Sequence, residues 1–280
     1  MKDSIKMTIK QTIFILVFLL TTTLCFGQVV EIEPLDRLEQ PVYDKLNEFN
    51  LIMIGEMHGT NEPANFLIGL AELFANHGDT VQVGFEIPSE MMTAYLQSLT
   101  DSSVFQSDFF LNNSADGRAS IAWANAIARL TKKSNVKIFF YDIDKYGSDA
   151  ERDSLMYLKI KGKIIEHPHW RTITLSGNIH NMRIPFRGKL TTAYHLCNDK
   201  ELNLSEKICT LNHIYQSGTM LNNIGNGLEI RQINHEPSAY SEVGLDNYLY
   251  LYPTAGMYDG IFFTKTVTAS ELVNEKQMNK

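Results

Sequence analysis

LIMIGEMHGTNEP, residues 51–63, runs four apolar residues into a glycine, a carboxylate and an imidazole. Residues 51–54 read as a short apolar strand. Gly55 ends it, and Asn61, Glu62 and Pro63 open a helix. A strand, a glycine turn and a helix start make the βα junction of an α/β fold. Ligands of open α/β sheets bind beyond the carboxyl ends of the strands, where this junction sets Glu56 and His58. The pattern returns at residues 172–181, TITLSGNIHN, where a second apolar strand runs into Gly-x-x-His and presents His180.

Working outward, residues 63–77 read as a helix, with Phe66, Leu67, Leu70, Leu73 and Phe74 at helical spacing. Residues 81–87 form a second strand that delivers Glu86 just before Pro88. A helix capped by Ser89 over 89–99 and a polar loop over 100–117 lead to a helix at 118–133. The strand at 136–141 ends in Asp142 and Asp144, and a helix over 148–166 precedes the strand at 171–176. Beyond it, 190–197 and 207–215 read as strands, 221–236 as a Gly- and Asn-rich loop, and 248–251 and 260–264 as closing strands. Strands alternating with helices predict an α/β fold, a mainly parallel sheet flanked by helices, in one domain over residues 28–280.

The first 27 residues have a different character. Lys2, Lys6 and Lys10 precede an apolar run at 13–20, and Cys25-Phe26-Gly27 closes the segment with small residues at the −3 and −1 positions. This is the pattern of a secretory signal peptide, its apolar part too short to span a membrane. It predicts an exported protein, periplasmic or secreted, with a lipid anchor on Cys25 the weaker alternative because Thr22-Thr23-Leu24 makes a poor lipobox. Removing Lys2, Lys6, Lys10 and Asp3, a net +2, takes the formal charge from −7 to −9. An acidic chain without a Lys/Arg cluster argues against nucleic acid and anionic membrane surfaces as partners. Cys197 and Cys209 remain, free to pair in an oxidising compartment or to stay as thiols.

Four successive strands thus bring Glu56 and His58, Glu86, Asp142 with Asp144, and His180 to one edge of the sheet. Imidazoles with carboxylates can hold a divalent metal and acidify its bound water. They can equally work without metal, a histidine taking the proton of a water while a carboxylate orients the ring. Glu86 stands out because a carboxylate in the apolar run GFEIP is costly to bury unpartnered. Glu62, near a helix start, is a secondary candidate that can also serve the helix dipole. His77 reads as a helix C-terminal residue, and His167 and His169 as loop residues. There is no Gly-x-Ser-x-Gly elbow, Walker loop or strand-linked GxGxxG, which leaves activated water as the hydrolytic route to a small-molecule or peptide substrate.

At these residues the chain resembles the superfamily of erythromycin esterase-like, ChaN-type haem-binding and TraB/Tiki proteins. IGEMHGTNEP (54–63) looks like the first-strand motif of the esterase and ChaN branches, and GFEIP (84–88) like their second-strand glutamate. WANAIARLTKKSNVKIFFYDID (123–144), SGNIHN (176–181) and YDGIFFTKTVTAS (258–270) resemble later motifs. The resemblance implies an esterase- or ChaN-like α/β fold, His58 as the water-activating base, and Glu56, Glu86 and His180 as its partners. In the Tiki branch two Gly-x-x-His motifs with a glutamate go with metal-dependent proteolysis, which makes the same four residues candidate metal donors. The ChaN branch implies haem or iron binding without catalysis as the alternative, although no tyrosine here sits in a matching motif. If the signal pattern is processed as read, the intact mass of protein recovered from the envelope or medium will correspond to a chain beginning at Gln28. A mass that includes residues 1–27 would refute the cleavage.

Overall fold

The computed structural model describes residues 29–112, 116–204, 206–223, 225 and 227–274, so the expected signal peptide lies outside the described residues. The chain enters through β1 (Val29–Glu31) and α1 (Gln40–Leu46), then runs β2 (Leu51–Glu56), α2 (Glu62–Asn76) and β3 (Val81–Pro88). A 3₁₀ turn (Ser89–Met92) and three short helices, α3 (Thr93–Ser98), α4 (Asp101–Val104) and α5 (Asp108–Asn112), lead to α6 (Ile121–Thr131). Then follow β4 (Val136–Asp142), α7 (Asp149–Glu166), β5 (Arg171–Gly177), a 3₁₀ turn (Asn178–Asn181) and α8 (Thr192–Cys197). β6 (Ile208–Asn223), β7 (Leu228–Asn234), β8 (Asn247–Leu251) and β9 (Gly260–Val267) complete the described elements.

All nine described strands join one sheet, in the order β1-β8-β9-β6-β2-β5-β3-β4 with β7 hydrogen-bonded to β6. The six strands from β9 to β4 are mutually parallel, and antiparallel pairs occur only where β8, β1 and β7 are added. β5 is inserted between β2 and β3, both of which precede it in the chain. The expected mainly parallel sheet flanked by helices is the fold observed.

Side-chain alternation explains the two layers. β2 and β3 are buried at every position, as strands covered on both faces must be. Ile52 and Ile54 join the larger core under α1, α2 and α6, whereas Leu51 and Met53 face α7 and α8 with Met156, Ile160, Ala193 and Leu196. The same period of two sends Glu56 to the α6 side and Glu86 to the α7 side. Caps fix the entry of both helices: the Ser120 hydroxyl accepts the Trp123 N–H at 3.3 Å, and the Ser148 hydroxyl accepts the Glu151 N–H at 3.2 Å.

Four expectations are corrected, the first being that the polar loop read over 100–117 holds the short helices α4 and α5. Residues 190–197 hold the helix α8 rather than a strand, because the Thr191 hydroxyl caps it by accepting the Tyr194 N–H at 3.1 Å, and Ala193 and Leu196 bury against the α7 layer. Residues 221–236 are not a loop: β6 continues to Asn223 and β7 returns beside it, so the glycines and asparagines mark a hairpin turn. Ser89 does not cap a helix over 89–99, since a 3₁₀ turn without a side-chain cap precedes the short α3. Cys197 and Cys209 are unpaired thiols, both pushed up by burial, Cys197 to about 11. No described helix is long and apolar enough to cross a membrane.

α7 is held to the sheet by a narrow apolar stripe, so truncating it should be costly. Ile160→Ala, at a fully buried position, is expected to lower unfolding stability by about 2–4 kcal/mol. Leu158→Ala, at a residue 53% exposed, should change it by less than about 0.5 kcal/mol. Denaturant unfolding of the two variants checks the contrast.

Candidate active site

β2, β5, β3 and β4 are consecutive neighbours, so their carboxyl ends place Glu56, Gly177, Glu86 and Asp142 along one edge. The register sets Glu56 beside Gly177 and Pro88 beside Asp142. His58 lies just past β2, and His180 lies in the 3₁₀ turn that follows β5. Five of the expected residues therefore converge: Glu56, His58, Glu86, Asp142 and His180.

Two glycines make the convergence possible. A Cβ on Gly55 would stand 3.0 Å from Asn178 Cα and 3.1 Å from both Asn181 Nδ2 and Leu211 O, so only a bare backbone admits the turn carrying His180 against β2. A Cβ on Gly177 would stand 3.2 Å from His58 Nε2 and 3.6 Å from His180 Cδ2. Each Gly-x-x-His motif thus leaves room for the other.

His58 Nδ1 pairs with Glu56 Oε1 at 2.8 Å, and the Trp123 indole N–H donates to the same oxygen at 3.1 Å. Glu56 Oε2 is buried without a partner among the described residues. His58 Nε2 stands 3.9 Å from Glu86 Oε2, and the side chain keeps 22% exposure. The far side of the site is an ion cluster. Arg152 donates to Glu86 Oε1 at 2.5 Å and to both oxygens of Asp142 at 2.7 and 2.8 Å. Arg118 donates to Glu86 Oε1 at 3.0 Å and Asp142 Oδ2 at 2.8 Å, and is itself gripped by Asp116. The Gly177 N–H donates to Glu86 Oε2 at 2.6 Å. Arg152 also donates to His180 Nε2 at 3.0 Å. A guanidinium only donates, so Nε2 is the acceptor and Nδ1–H points to Asp153 Oδ1 at 2.8 Å. Asp153 is fixed in turn by the Thr192 N–H and hydroxyl, both at 2.7 Å.

These contacts pull the ionisations apart. Burial raises the Glu56 carboxyl, and its bonds to His58 and Trp123 offset only part of that. Burial lowers the His58 imidazole, but the Glu56 bond and the negative charges of Glu86 and Glu56 outweigh it and leave it raised. Glu86 is also pushed up by burial, yet the charges of Arg118 and Arg152, joined by His180 and His58 when those rings are protonated, hold it well below the ordinary carboxylate value. The surroundings thus favour the Glu86 anion and the protonated form of the neighbouring His58 imidazole.

Two secondary candidates lie elsewhere. Glu62 accepts the Thr268 N–H at 2.9 Å and hydroxyl at 2.7 Å, tying the start of α2 to the end of β9. Asp144 is exposed and takes no part in the cluster. His77 ends α2 as expected, with Nδ1 at 2.8 Å from Leu73 O. Arg118, Arg152, Asp153 and Trp123 were not among the expected site residues. Their one sequence signal is position: each lies just before or within the first turns of the helix flanking the third strand of the expected set.

The four expected metal donors do not fit a shared cation as arranged. Glu86 is engaged by two guanidinium groups and the His180 Nε2 lone pair by Arg152. Among the described residues no three His, Cys, Asp or Glu side chains are disposed to hold a metal. A cavity of about 280 Å³ opens over His180, Arg152 and Asp153, walled by Ile179, Phe186 and Arg187. A cavity of about 340 Å³ at the opposite end of the sheet, by Leu51 and Thr172, touches none of these groups.

This architecture recurs in solved structures. An erythromycin esterase variant in its open conformation superposes with a TM-score of 0.59 at 10% identity, over 88% of this chain and 99% of that one. The chain has an erythromycin esterase-like fold. A Bacillus cereus protein matches at a TM-score of 0.63 and 9% identity, over 88% and 97% of the two chains. A succinoglycan biosynthesis protein matches this esterase-like fold at 0.65 and 9%, over 89% and 97%. No family model and no curated protein matches the sequence.

The charges around His58 set a titration that needs no substrate. Its NMR-observed midpoint is expected above the ordinary 6.5. Glu56→Gln removes a partner that favours the protonated ring, so it should shift the midpoint down by about one unit or more. An unchanged midpoint in that variant would refute the dyad.

Proposed function

We propose that the protein is a hydrolase that cleaves an ester or amide with water activated by His58, without a metal in the reacting step. The observation that carries this reading is the Glu56–His58–Glu86 line: Nδ1 anchored at 2.8 Å and Nε2 3.9 Å from Glu86 Oε2, on a side chain that keeps 22% exposure. Glu56 accepts Nδ1–H and so leaves the Nε2 lone pair for the water. As Nε2 takes the proton, the negative charges of Glu56 and Glu86 stabilise the imidazolium. The hydroxide equivalent attacks the carbonyl carbon, and charge develops on the carbonyl oxygen. Arg152, which lines the adjoining cavity, is the cation best placed to favour that oxyanion. His180 is locked by Asp153 and Arg152, a positioning role that fixes the guanidinium against the cavity. His58 then returns its proton to the leaving group.

Two other observations support a hydrolytic reading: the erythromycin esterase-like fold and the site's seat at the carboxyl ends of the strands. Nothing in the site favours the haem- or iron-binding alternative. Action after export is part of the proposal and rests on the N-terminal signal pattern alone. The substrate is a small molecule or peptide bearing an ester or amide.

A panel of chromogenic esters and amides provides the test. His58→Ala is expected to reduce kcat by about 10²–10⁴-fold on any substrate turned over, with the fold retained by circular dichroism. Because the base must be neutral, activity should rise with pH through a midpoint above 6.5, and Glu56→Gln should move that limb to lower pH. Wild-type turnover retained in His58→Ala would reject the mechanism. A folded, metal-depleted enzyme is expected to stay active, and loss of activity restored by a divalent cation would return metal to the reaction.

A further inference from the structure

β7 is joined to the sheet on one side only, through β6. None of its seven residues is buried, and Ile230, 64% exposed, is the most exposed large hydrophobic side chain among the described residues. Ser217 and Gly218 of β6 pair with β9 on one side and with β7 on the other. β2 lies on the side of β6 away from β9. β7 therefore runs in the lane of β2, past the end that delivers Glu56. A strand added to its free edge enters the lane of β5, past Gly177.

The register fixes which backbone groups face that lane. The His235 N–H donates to Gln216 O at 2.8 Å, one step beyond the Ser217–Asn234 pair. Hydrogen-bonded pairs alternate in an antiparallel ladder, so Ile233, Arg231 and Glu229 also turn their backbone groups to β6. Leu228, Ile230 and Gln232 turn theirs outward, where they have no backbone partner among the described residues. The same alternation points the Leu221 N–H away from β7, and it is bonded to Gly59 O at 3.0 Å instead. An open edge recruits another strand unless Pro, Lys, a bulge or a covering segment prevents it. β7, LEIRQIN, has neither Pro nor Lys, and its register against β6 runs without a shift.

The charges of β7 select the partner. Glu229 and Arg231 share one face, with Arg231 Nη2 donating to Glu229 Oε2 at 3.1 Å. In an antiparallel pair with a second β7, centred on Ile230, the outward groups of Leu228, Ile230 and Gln232 meet those of Gln232, Ile230 and Leu228. Glu229 then stands opposite Arg231 of the second copy, and Arg231 opposite its Glu229. Both are the closer, non-hydrogen-bonded kind of pair, with Cα atoms about 4.5 Å apart. Centring on Glu229 or on Arg231 sets a charge against its like. On the other face the two exposed Ile230 side chains cover each other. We infer that β7 is a self-association edge, through which two copies of this chain join antiparallel about Ile230 and merge their sheets into one. Such a self-complementary patch is what a two-fold dimer requires. The pairing stands independently of the hydrolase reading.

Sedimentation velocity of the purified protein from about 1 to 200 μM tests this. A monomer–dimer equilibrium is expected within that range, because a single strand pair is a small interface. Glu229→Arg and Arg231→Glu each set like charges opposite one another at two places, and each should weaken the dimer about tenfold or more. The double variant Glu229→Arg with Arg231→Glu restores the match and should return to within about threefold of the wild type. Ile230→Asp sets two carboxylates face to face at the centre and should leave only monomer. Circular dichroism checks the fold of each variant, and recovery in the double variant excludes a folding defect as the cause of the loss. Monomer at every concentration overturns the pairing. So does a dimer that Ile230→Asp and both single charge variants leave intact, which would place the interface elsewhere. A dimer lost in the single variants and not recovered in the double variant rejects the register and overturns it as well.

Discussion

The site depends on keeping one buried carboxylate ionised. Glu86 is buried, and a lone anion in such a place would take up a proton or expel its strand. Two guanidinium groups and a backbone N–H prevent this. Arg152 comes from α7, Arg118 from the segment before α6, and the Gly177 N–H from the end of β5. Asp142 at the end of β4 joins through both arginines. One carboxylate therefore ties together two layers and three strands. Desolvating so many charges is a poor way to gain stability. What it gains is position, a fixed negative field that reaches His58 from one side while Glu56 holds the ring from the other.

The two histidines are not equivalent despite their repeated motif. His58 has Nδ1 bonded to Glu56 and Nε2 3.9 Å from Glu86 Oε2. His180 has both nitrogens engaged, by Asp153 and Arg152. The resemblance between Gly55-Glu56-Met57-His58 and Gly177-Asn178-Ile179-His180 is chiefly steric. Each glycine clears space for the segment that carries the other imidazole, and the roles diverge with the surrounding charges.

Much of this was legible in the sequence because it depends on local pattern. Apolar runs ending in glycine or in a carboxylate located β2, β3, β4 and β5, and so the edge where Glu56, His58, Glu86 and His180 meet. Arg118 and Arg152 were not legible. In sequence each is one charge on a polar helix start, indistinguishable from a solvated residue, and only the packing of α6 and α7 aims it at Glu86. Residues 190–197 misled for the opposite reason: Thr191, Thr192 and Tyr194 favour strands, yet a hydroxyl cap and a buried face made them α8. Glu62 and Asp144 had the right chemistry near the right edge. Glu62 was drawn to Thr268 instead, and Asp144 stayed in water, because the chain turns outward just after β4.

The insertion of β5 between β2 and β3 bears on how the protein is made. When the ribosome has delivered β2, α2, β3, α6 and β4, the slot between β2 and β3 is still empty, with two hydrophobic strand edges facing it. The sheet cannot close, and no imidazole can meet Glu86, until α7 and β5 have been synthesised. Until then the N-terminal portion carries unpaired strand edges, the kind of surface that pairs with other chains.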